Sequence, residues 1–286
     1  MTPTRIANPR VDEHGATFSW HGAGPPPVVA GSWCGWDPAR GLEMERVGGG
    51  TWEARLEMQA DAYAEYRLYR SDRVVADPGN RDRIDNGFHG RNQRFWMPRA
   101  TRRAEQLIRR DVPRGHVTRA KVDLGWLSAP PSRRRVAFYL PDVAAHDTEI
   151  RRSLPLLVVL DGLDYLRRGG LAEMLDALIA DGSIAPVAAL FVDNAGPGRP
   201  SEYMANDFTL ASLADICVPA AVEELGLETQ HAAVGPGRAA ILGSSLGGLM
   251  ALHAGVRRPD VFGRVIAQST SAMLDELPLR DSVIPA

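Results

Sequence analysis

The stretch AAILGSSLGGLMALHAG, residues 239–255, contains Gly243-Ser244-Ser245-Leu246-Gly247, which fits the spacing G-x-S-x-G. A serine hydroxyl is a poor nucleophile unless it is held exposed beside a base. This spacing can do the holding. Its glycines let a strand and a helix pack closely around a strained turn, and Ser245 projects from the tip. An apolar run precedes the turn and a small-residue helical run follows it, which is the context the chemistry needs. A strand-to-helix turn without chemistry is the competing reading. If Ser245 attacks an acyl group, the oxyanion needs two donors, and the first is expected at the backbone N–H of Leu246.

A second element, VVLDGLDYL at 158–166, also follows an apolar strand candidate. The N–H of Leu163, in the turn after Asp161-Gly162, is the nominee for the second oxyanion donor; an ordinary Asp-Gly turn explains the same residues equally well. A third element, GRPSEYMANDF at 198–208, is a polar loop at the carboxyl end of a strand candidate, where ligands bind in open α/β sheets. Arg199, Glu202 and Asn206 are candidates for substrate contact there. They are equally candidates for bracing the loop, by a salt bridge or by capping the helix that starts nearby.

The proton acceptor is harder to find. The seven histidines are His14, His21, His89, His116, His146, His231 and His253, and only His253 follows Ser245. Eight residues along a helix is about 12 Å of rise, too far for a hydrogen bond. His231 precedes the nucleophile strand, out of order for this kind of triad. The expectation is that no triad histidine is present. The acid is also unassigned, since Asp275, Glu276 and Asp281 in the tail fit no recognisable position.

The elements that must position these groups are legible in the pattern. Residues 1–98 read as all-β: ATFSW, VVAGSW, TWEARLEM, AYAEYRLYR and RVVAD are short runs separated by turn clusters such as GAGPPP and DPGN, as in a small β-sandwich. Residues 99–132 read as a basic, solvated connector whose second half, HVTRAKVDL, can pair with RRRVAFYLP as a hairpin. From 133 to 286 strand and helix candidates alternate. RRVAFYLP, LPLLVVLDG, VAALFVDN, RAAILGS and GRVIAQS are the strands; 169–182, 208–226 and 246–259 have helical spacing. Alternation of this kind argues a doubly wound, mostly parallel sheet.

Composition narrows the partners. The chain has 286 residues, a formal net charge of −2 and 44% hydrophobic residues, so it has ample core and no field suited to nucleic acid. Lys121 is the only lysine among 33 basic residues, which leaves arginine as the default anion-binding group. Cys34 and Cys217 lie far apart, no Cys/His spacing suits a metal, and no cofactor is implied. The segment MTPTRIANPRVDEHG has no apolar core of a signal peptide, and no run approaches a membrane span. The expectation is a soluble, cytoplasmic protein without membrane partners.

Taken together, LLVVLDGLDYL, FVDNAGPGRPSEYMANDFTLASLADICVPAAVEELG, GSSLGGLMALHAGVRRPDVFGRVIAQSTS and the N-terminal VVAGSWCGWDP, TWEARLEM and AYAEYRLYR resemble the enterochelin esterase family. These are the Fes-type siderophore esterases within the esterase-D-like and antigen-85-like α/β-hydrolases, and the front part resembles the early-immunoglobulin domain that precedes their catalytic domain. The resemblance implies an α/β-hydrolase with Ser245 as nucleophile and Leu163 and Leu246 as oxyanion donors. It implies hydrolysis of the ester bonds of a ferric catecholate siderophore, with release of iron. Such a ligand is anionic and aromatic, which suits Arg199, Tyr165 and Tyr203 as contacts. Family members continue past the strand matching GRVIAQS to supply the acid and the histidine, whereas 41 residues follow Ser245 here. The expectation is a catalytic domain shortened at its C-terminus, impaired in turnover and prone to self-associate through an exposed sheet edge. A feruloyl or acetyl esterase acting on glycans, and a non-catalytic siderophore-binding remnant, are the alternatives.

Overall fold

In the computed structural model, which describes residues 8–21, 24–71, 73–86, 90–101, 108–125, 132–228 and 239–271, contacts divide the chain into units 1–102 and 103–286. The first unit holds strands β1 (Arg10–Asp12), β2 (Gly15–His21), β3 (Val28–Gly31), β4 (Glu45–Gly48), β5 (Thr51–Glu57), β6 (Tyr63–Arg70), β7 (Arg73–Val75), β8 (Arg83–Asp85) and β9 (Arg91–Trp96), and the five alternating runs are β2, β3, β5, β6 and β7. They make two antiparallel sheets, β1-β2-β5-β4 and β3-β6-β9-β8, with β7 added beside β6. Inward side chains from both sheets share one core, where Phe18 meets Tyr66 edge-on at 4.9 Å and Phe95 at 5.7 Å. Strands β1, β4, β8 and β9 have no counterpart in the sequence reading. Every residue of β1 and β4 is exposed, so neither shows the apolar alternation that betrays a strand.

The second unit is built on one sheet of β10 (His116–Asp123), β11 (Arg133–Leu140), β12 (Leu156–Leu160), β13 (Ala188–Val192), β14 (Ala240–Ser244) and β15 (Arg264–Gln268), in the order β10-β11-β13-β12-β14-β15. The four strands from β13 to β15 run parallel, while β11 lies antiparallel to both β10 and β13. Strands β12 and β13 are buried at every position, as a sheet covered on both faces requires. Leu156, Val158 and Leu160 face one layer of helices; Leu157 and Val159 face the other. This is an α/β-hydrolase-type sheet preceded by a β domain.

The helices are α1 (Asp142–Ala145), α2 (Thr148–Ser153), α3 (Gly162–Arg167), α4 (Leu171–Ala180), α5 (Arg199–Tyr203), α6 (Asp207–Ser212), α7 (Val218–Leu225) and α8 (Leu246–Arg257). The single helix expected over 208–226 is instead α6, a π-helical turn Leu213–Cys217, and α7. Pro219 explains the break: it has no N–H to continue an α-helical ladder, and it sits in the first turn of α7, where none is needed.

Candidate active site

Strand β14 ends at Ser244 and α8 begins at Leu246, so Ser245 alone makes the turn. Its backbone is at φ 58° and ψ −122°, a strained region for a residue with a side chain. The turn is tight: a Cβ at Gly243 would lie 2.1 Å from the carbonyl oxygen of Gly247, so only glycine fits. Ser245 N–H donates to the Gln268 carbonyl at 2.9 Å, and Ser271 N–H donates to the Ser245 carbonyl at 3.2 Å, which ties the turn to β15 and the residues after it. Ser245 Oγ lies 2.9 Å from Ser271 Oγ, and among the described residues no imidazole reaches it.

The turn after β12 stands beside it. Strands β12 and β14 are parallel neighbours, with Val159 opposite Leu242, so their carboxyl ends are adjacent. The chain leaves β12 for β13 on one side and later returns to β14 on the other. That reversal is the crevice where open α/β sheets bind ligands. Asp161 takes a left-handed conformation, φ 53°, and α3 starts immediately after it. The amides of Asp164 and Tyr165 turn back to the Asp161 carbonyl at 2.9 and 3.2 Å. Leu163 and Leu246 lie ahead of the hydrogen-bonded turns of α3 and α8, where helix N–H groups have no intrahelical acceptor. Both sit at positive helix ends suited to a developing oxyanion.

The polar loop residues are placed differently from the substrate-contact reading. Arg199 forks onto Asp161, with Nε and Nη2 each 2.7 Å from a carboxylate oxygen, and its guanidinium lies 5.1 Å from the Tyr203 ring centre. Glu202 is buried, accepting from Arg134 Nη2 at 2.6 Å, Arg134 Nη1 at 2.9 Å and Ala195 N–H at 3.1 Å. Tyr203 is 2% exposed, its hydroxyl accepts from Asp161 N–H at 3.2 Å, and burial pushes its phenol far above the usual range. Asn206 caps α6, accepting from Thr209 N–H at 3.0 Å. Glu202 and Tyr203 are thus engaged inside the protein and Asn206 at a helix cap, an arrangement that favours bracing over the substrate contact expected of them. Tyr165 is half-buried near the turn and donates to Gln268 Oε1 at 2.5 Å. Burial first, and the Asp161 charge second, raise its phenol.

His253 is 4% exposed, and its Nε2 pairs with Asp207 Oδ1 at 2.8 Å, on the body of α8 rather than at the turn. His231, Asp275, Glu276 and Asp281 fall outside the described residues. Asp161, Gln268 and Ser271 carry much of the local geometry, and the sequence reading assigned them no role. Their only signal was position: each stands at the carboxyl end of a strand candidate that borders the turn.

Residues 128–281 match the family model "Putative esterase", more than half of the chain. The chain belongs to this esterase family. Among curated relatives, this esterase is 32% identical over 150 residues to the iron(III) enterobactin esterase of Dickeya dadantii, covering 52% of the chain and 32% of that protein. It is 30% identical over 139 residues to the iron(III) salmochelin esterase of Escherichia coli O6:H1, covering 48% of the chain and again 32% of the relative. The matched stretch thus spans about a third of the length of these relatives. The fold is that of the ferric enterobactin esterase of Salmonella typhimurium, with a TM-score of 0.76 at 19% identity over 96% of this chain and 77% of that one. The enterochelin esterase of Shigella flexneri gives 0.70 at 17% identity over 99% and 81%. Among the described residues no helix of this esterase is long and apolar enough to cross a membrane.

Proposed function

We propose that the chain acts on the ester bonds of a ferric catecholate siderophore, with Ser245 as nucleophile and the N–H groups of Leu163 and Leu246 receiving the oxyanion. The observation that carries the reading is the strained Ser245 turn, set at the crevice between β12 and β14 beside two helix starts. The substrate class is taken from the relatives, two of which are named for iron(III) siderophore esters. A cytoplasmic site of reaction is proposed with it, as the resemblance to siderophore esterases implies. The division of labour proposed is a β domain in residues 1–98, a connector with a hairpin in 99–132, and the esterase domain from 133 onward.

The rate proposed for a polypeptide of these 286 residues is low. The described partner of Ser245 Oγ is the Ser271 hydroxyl, which is no base at neutral pH. General-base help is worth roughly 10²–10⁴-fold in such steps. An oxyanion hole with binding alone leaves about 10³-fold over water. The substrate test is direct. A ferric tricatecholate ester should quench tryptophan fluorescence more strongly than a feruloylated arabinose and should release linear catecholate fragments slowly on chromatography. Equal quenching, or faster release of ferulate, overturns the siderophore reading. Rapid turnover abolished by His231→Ala or His253→Ala overturns the low rate and identifies the base.

A further inference from the structure

A carboxylate stands where an oxyanion hole should least want one. Asp161 lies two residues before Leu163, and a Cβ at Gly247, the residue after Leu246, would sit 3.1 Å from its Oδ2. The side chain of Asp161 is 11% exposed, so solvent screens it little. An uncompensated anion at that point opposes the charge that builds on the substrate oxygen. One group removes the opposition. Arg199 meets both carboxylate oxygens at 2.7 Å, in the planar fork that lysine cannot reproduce. Its Nη2 also lies 3.3 Å from the Ser244 carbonyl, so the same guanidinium touches the nucleophile turn. Asn194 Nδ2 donates to Asp161 Oδ1 at 2.6 Å but brings no charge.

We propose that Arg199 is a positioning residue that acts through Asp161: it cancels the Asp161 charge beside the two oxyanion donors, and is not there to bind an anionic substrate. The proposal rests on the ester-hydrolase reading of Ser245. At an effective dielectric of about 20, one unit charge left uncompensated about 6–12 Å from the reacting oxygen changes a rate by about a hundred- down to ten-fold. Tyr165 supplies an independent reporter of the same field, since its phenol senses the Asp161 charge.

The test compares the wild type with Arg199→Gln and with the double variant Asp161→Asn/Arg199→Gln. The first readout is inactivation by a fluorophosphonate, resolved into kinact and KI. The second is the ionisation of Tyr165, followed by carbon-13 tyrosine NMR. In Arg199→Gln, kinact falls about ten- to a hundred-fold with KI unchanged, and Tyr165 ionises at higher pH. In the double variant most of the kinact loss is recovered and the Tyr165 titration moves back. A double variant as slow as the single one overturns the proposal, because the loss in Arg199→Gln would then not come from the uncancelled Asp161 charge. A Tyr165 titration that stays put in Arg199→Gln overturns it as well. A wild type that forms no Ser245 adduct overturns the esterase reading, and the Tyr165 titration still decides the charge cancellation. If Arg199→Gln does not fold, Arg199→Lys keeps the charge without the fork and is expected within a few-fold of wild type. A loss of a hundred-fold or more in that variant sinks the proposal.

Discussion

Removing the Glu202 carboxylate should cost stability, not ligand affinity. Its side chain is 4% exposed and that of its partner Arg134 is 3% exposed. The carboxylate accepts two guanidinium hydrogen bonds, at 2.6 and 2.9 Å, and one from Ala195 N–H at 3.1 Å. Glu202→Ala takes away the carboxylate that the buried Arg134 guanidinium meets with two nitrogens, and breaking a buried pair in this way costs about 3–5 kcal/mol. For a unit of this size each kcal/mol moves the midpoint by about 2–4 °C, so the melt should shift down by about 6–20 °C. Urea unfolding followed by circular dichroism should give a lower midpoint at an unchanged m value. The pair replacement Arg134→Met/Glu202→Leu should recover most of the loss, because it leaves no unpaired charge inside. The reasoning is refuted if Glu202→Ala melts with the wild type and binds the ferric catecholate more weakly, since Glu202 would then face the ligand.

Three further outcomes follow from the same geometry. Gly243→Ala should destabilise the chain by about 1–3 kcal/mol or more, and should abolish labelling of Ser245, because its Cβ would lie 2.1 Å from the Gly247 carbonyl oxygen; a stable, labelled variant counts against the tight turn. Stability should fall as the pH rises above about 9: burial pushes the Cys217 thiol from 9.0 up to about 12 and raises Tyr139 and Tyr203 too. The unfolded thiol therefore gives up its proton first, each such group contributes a slope of about 1.4 kcal/mol per pH unit, and urea midpoints that stay flat from neutral pH to pH 11 contradict the burial. We also propose self-association through β15, whose outer edge pairs with no strand among the described residues and whose Val265 and Ile266 are 36% and 43% exposed; light scattering should show a dimer that Ile266→Lys dissolves, and a monomer at high concentration argues against it.

The α/β-hydrolase sheet was legible because its signal is local. Leu156–Leu160 and Ala188–Val192 are unbroken apolar runs, and the glycines around Ser245 mark a turn that few other residues permit. The antiparallel direction of β11 was not legible, since strand direction is set by the pairing of Val136 with Val192 across the sheet and leaves no local trace. The π-helical break was readable in principle at Pro219, but the apolar spacing on both sides of it conceals it. The roles of the loop residues lay beyond the sequence for a different reason. Arg199, Glu202 and Asn206 carry the same side chains whether they bind or brace, and only their partners distinguish the two. Those partners are distant: Glu202 meets Arg134, 68 residues away, and Arg199 meets Asp161, 38 away. Nothing near Glu202 in the chain announces either contact.

The central claim is that Ser245 is the nucleophile, and the most direct measurement is the site of covalent attack. Incubating the 286-residue polypeptide with a fluorophosphonate to completion, then mapping the adduct by peptide mass spectrometry, reads that residue alone. The account predicts one slow adduct on Ser245, none on the neighbouring Ser271, and none in Ser245→Ala. An adduct that persists in Ser245→Ala, or an unlabelled Ser245 after exhaustive treatment of folded protein, would contradict it.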